Sequence, residues 1–242
     1  MADEQEYSGE LLGATLVTWM VDNRPALDEK MKEEGSKALI QEFMAAEGGQ
    51  GLPTPEERLD RARQASARAW LRHLAAAIQA NWTVAPADFT SAMDKWLAAG
   101  EERLEALRLD EESTAEQRGR AADPNDDHRE VELRSLGRLF AEGVGATCHP
   151  GGDDGPSFAK RVTEWQSEHL LRNRELVDDA IARTTPEGLS GSDVAAPLWE
   201  RAPETARARE AALLWARVQF LTEAIADALM AAGPPRLDTA DA

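Results

Sequence analysis

PETARAREAALLWARVQFLTEAIADALMAA, residues 203–232, decides the fold class of this chain. Leu214, Val218, Leu221, Ile225 and Leu229 recur at steps of three and four, which winds them into one apolar stripe at about 3.6 residues per turn. Pro203 suits a first helical turn, where its missing N–H costs nothing, and Gly233-Pro234-Pro235 ends the helix. This is the most apolar segment of the chain, and the segments upstream read as helices built to pack on such a stripe.

Working outward, six more helices are expected. They run from Ser8 to about Val21, from Pro25 to Ala46, from Thr54 to Trp82, from Pro86 to Leu109, from His128 to Gly143, and from Pro156 to Thr184. Thr54-Pro55-Glu56-Glu57 is the clearest start: a capping Thr, a Pro at the first helical position, and a Glu placed to close a capping box. Gly35-Ser36 and Gly100 are weak points inside two of these helices. Residues 110–127 hold no large apolar side chain and read as an acidic linker or long loop. The expected fold is therefore an all-α helical bundle of about six to eight helices. It divides into an N-terminal half, 1–109, and a C-terminal half, 128–242, as two packed halves or a single domain. The Pro86–Phe89–Trp96 and Pro156–Phe158–Trp165 patterns resemble one another, but helix-start grammar alone produces such matches.

Composition agrees. Ala, Leu, Glu and Arg dominate, while Tyr occurs once and Phe five times, which disfavours sheets. Seven Trp (Trp19, Trp70, Trp82, Trp96, Trp165, Trp199 and Trp215) fall singly along the chain, as anchors between Ala-rich helices would. Trp199, beside a Pro in a loop, is the one expected to be exposed. Net charge is −18, from 45 acidic against 27 basic residues. That excess argues against a nucleic-acid partner, because affinity for phosphates rests on Lys and Arg, and against anionic membranes. A single Cys, an acidic polar N-terminus, and a run at Leu11–Val21 too short to span a bilayer together predict a cytoplasmic bacterial protein.

Candidate chemistry is thin. At helical pitch, Glu164, Glu168, Glu175, Asp178 and Asp179 share one face, and hard cations take several oxygens from such a face. The Glu164/Glu168 and Glu175/Asp178 spacings resemble those of helical nucleotide pyrophosphatases. The resemblance implies Mg²⁺ held with a second acidic pair on a neighbouring helix, a pair not evident in this sequence. Arg161 and Arg172 border the stripe, as on an ordinary solvated face. None of the four histidines stands three residues after a Glu, which excludes the Glu-x-x-His signature of di-iron bundles. His169, between Trp165 and Leu176, reads as a core residue with a hydrogen-bond partner. His73 lacks the residues expected after a phosphorelay histidine. Cys148-His149, in a Gly-rich loop before a helix, is the sharpest temptation, but neighbouring side chains diverge, and Asp153 and Asp154 would raise a thiol's pKa.

These readings favour a non-enzymatic interaction, assembly or regulatory subunit that binds a protein partner, or itself, through apolar helix faces. The final helix is expected to seed a dimer seam, and no cofactor is called for. The alternative is a Mg-dependent helical enzyme or small-ligand binder using the carboxylate stripe. An acidic mimic of nucleic acid ranks last, because arginines are interspersed throughout.

Overall fold

The computed structural model describes residues 9–47, 54–117, 124–149, 154–184 and 203–233. Among these residues it is all-helical, with nine helices and no strand. They are α1 (Gly9–Asp22), α2 (Arg24–Glu47), α3 (Pro55–Asn81), α4 (Phe89–Ala99), α5 (Glu101–Gln117), α6 (Pro124–Cys148), α7 (Asp154–Glu168), α8 (Leu170–Thr184) and α9 (Pro203–Ala232). The expected capping box is present at the start of α3. Glu57 N–H donates to Thr54 Oγ1 at 3.2 Å, and Thr54 N–H donates to Glu57 Oε2 at 2.7 Å.

Nine helices replace seven expected segments because two long ones are broken. Gly100 ends α4 and Glu101 opens α5. A Cβ at Gly100 would lie 2.9 Å from Leu139 Cδ2, so the glycine also lets the α4–α5 corner sit close to α6. The second break falls at His169, whose Nδ1 donates to the Trp165 carbonyl at 2.9 Å while its ring stacks on Trp165 at 4.1 Å. The backbone bonds from His169 N–H to the Trp165 carbonyl, 3.0 Å, and from Asn173 N–H to the His169 carbonyl, 3.2 Å, run through this turn. Gly35-Ser36, by contrast, leaves α2 uninterrupted.

Helix also occupies most of residues 110–127, where a linker or loop was expected. α5 continues to Gln117 and α6 begins at Pro124. Glu, Ala and Gln are good helix formers without any apolar side chain. Arg138 of α6 holds the middle of α5, at 2.5 Å from Asp110 Oδ2 and 3.0 Å from Glu111 Oε1. α6 likewise extends through Cys148, into the stretch read as a Gly-rich loop.

Six helices close a ring in which each packs on the next: α1, α3, α4, α6, α7, α9 and back to α1. α2 leans on α3, α5 on α6 and α8 on α9. One buried apolar cluster fills the ring and takes residues from both sides of 110–127, among them Leu16, Leu74, Met93, Phe140, Phe158 and Ile225. Close approaches are made by glycine: a Cβ at Gly143 would meet the Trp96 ring at 2.6 Å, and one at Gly9 would meet the α9 backbone at Asp227 at 2.6 Å.

The stripe of the last helix is consumed inside the chain. Val218, Leu221, Ile225 and Leu229 are buried and Leu214 is half-buried, against α1, α7 and α8. Little of this stripe is left exposed for the expected pairing with a second copy.

Candidate functional site

The five carboxylates singled out from sequence do not assemble. Glu164 and Glu168 lie on α7, Glu175, Asp178 and Asp179 on α8, and the His169 break separates the two groups. All five are exposed. Two carry ordinary surface pairs one turn away, Glu164 with Lys160 at 3.7 Å and Asp179 with Arg183 at 3.1 Å. Among the described residues no group of three or more His, Cys, Asp or Glu side chains is placed to hold a metal ion.

Cys148 closes α6 instead of lying in a loop, His149 follows the end of that helix, and both are buried. Cys148 is fully buried at the last turn of α6, and burial pushes its thiol up to about 12, so the nucleophilic thiolate does not form near neutrality. Asp153 lies outside the described residues. His73 is half-buried on α3 beside the Trp19 ring, at 4.8 Å, and burial lowers its pKa from 6.5. His169 has the hydrogen-bond partner expected of it but is half-buried at a corner, not in the core.

The tryptophans act as spacers. Trp70 meets Trp215 at 4.8 Å between α3 and α9, Trp165 meets Phe220 at 5.3 Å between α7 and α9, and Trp96 Nε1 donates to the Leu139 carbonyl at 2.9 Å between α4 and α6. Trp199 lies outside the described residues.

Two other features stand out, and neither was visible as a site in the sequence. On α2, Ile40, Phe43 and Met44 are 58%, 54% and 69% exposed, at i, i+3 and i+4 on one face. Arg58 stacks over the Phe43 ring at 5.0 Å. The second feature is a half-open cavity of about 330 Å³ lined by α3, α6, α7, α8 and α9. Leu71, Leu133, Leu136, Val218 and Leu221 make much of its wall, and Glu130, Arg134, Arg217 and Asn173 bring polar groups to it. Periodicity shows that these leucines face inward, but not that five helices leave room between them.

No helix among the described residues is long and apolar enough to cross a membrane. Comparison with known proteins returns no match: no family model fits the chain, and neither a curated protein nor a solved structure is similar to it.

Proposed function

We propose that this protein is a non-enzymatic interaction subunit that docks a partner protein on the outer face of α2. The observation that supports it is the exposed Ile40/Phe43/Met44 stripe. Those are the anchor spacings with which one amphipathic helix presents itself to a groove or a second helix. Aromatic and Met side chains are also the types enriched where proteins meet. Arg58 adds a cation at the edge of the patch, which suits an acidic group on the partner's rim.

The test compares the full chain with a triple variant, Ile40→Asp, Phe43→Asp and Met44→Asp, as baits in a lysate of the source organism. Quantitative mass spectrometry follows, with sedimentation to detect self-association. Because all three side chains are exposed, each exchange should change stability by no more than about 0.5 kcal/mol. The expected result is a partner, or a second copy, held by the wild-type chain and lost by the triple variant. Identical retention by both baits, with both sedimenting as monomers, overturns the reading.

The carboxylate stripe would have to bind Mg²⁺ as an exposed, divided set of side chains, so the metal-dependent alternative has no geometric support. Small-ligand binding is better served by the cavity.

A further inference from the structure

We draw no further inference here: the strongest candidate, the outer face of α1, where Leu11 and Val21 are exposed and no charged side chain falls between Glu10 and Asp22, carries nothing, because nothing in the structure shows what covers it.

Discussion

α9 and α2 are both long helices carrying apolar stripes, yet the fold treats them oppositely. α9 closes the ring and touches α1, α3, α6, α7 and α8, so its stripe is enclosed on several sides. α2 packs chiefly on α3 and on the end of α1, with Arg24 at its start over the Trp215 ring of α9 at 5.7 Å, and Ile40, Phe43 and Met44 toward its far end stay exposed. The same side-chain chemistry therefore stabilises the monomer in one helix and remains available to a partner in the other. What differs is the number of neighbours, and no property of either stripe alone records it.

One substitution made in both helices measures this difference directly. Ile225 is fully buried in α9 and Ile40 is exposed on α2. Removing the larger part of a buried aliphatic side chain costs both transfer energy and a cavity, so Ile225→Ala should lower unfolding free energy by about 2–5 kcal/mol. Ile40→Ala should change it by no more than about 0.5 kcal/mol. Urea unfolding, with the slope checked for constancy, distinguishes the two. Equal losses would mean that Ile40 is covered in solution and would break the contrast.

A smaller effect tests how α2 is held. Its main support is α3, whose first turn is secured by the Thr54–Glu57 capping box. Thr54→Ala removes the acceptor for the Glu57 N–H and should cost about 1 kcal/mol. Hydrogen exchange should quicken in the first turn of α3 and in the part of α2 packed there, while α9 keeps its protection. Uniform loss of protection would show instead that α2 and α9 belong to one cooperative unit.

The same contrast explains what was legible before folding. Helical period located all seven segments, and capping grammar placed the start of α3, because both are local properties. The breaks were harder. Gly100 was visible as a weak point, whereas the His169 corner depends on a ring stacking on Trp165 and bonding its carbonyl, which spacing does not encode. Residues 110–117 carry no large apolar side chain, so periodicity had nothing to register. Their helix is held by Arg138, far along the chain. The five carboxylates share a helical face by spacing, but they are exposed and two of them pair with a Lys or Arg one turn away, which spacing does not record. The cavity was out of reach for the same reason: Glu130, Arg134, Asn173 and Arg217 come from three helices, and none of them marks a site by itself.

The smallest effect concerns the contact between α1 and α3, next to the turn that leads into α2. His73 sits against Trp19 there, its Nε2 is buried without a partner, and its pKa lies below 6.5 in the folded chain. The cause is burial, which disfavours the imidazolium. Between the lowered folded value and 6.5 the unfolded chain binds more protons than the folded one, so stability rises with pH through that window. Seen from the other side, stability is lost as pH falls below about 6.5, the reverse of a histidine held by a carboxylate. A His73→Gln chain should therefore show a flatter stability profile from pH 7 down to about pH 5.5, above the range where most carboxylates titrate. Hydrogen exchange should place the acid-induced loosening in α1 and the adjoining turns of α3, with α9 unchanged. A profile as steep in His73→Gln as in wild type would assign the acid sensitivity to another group.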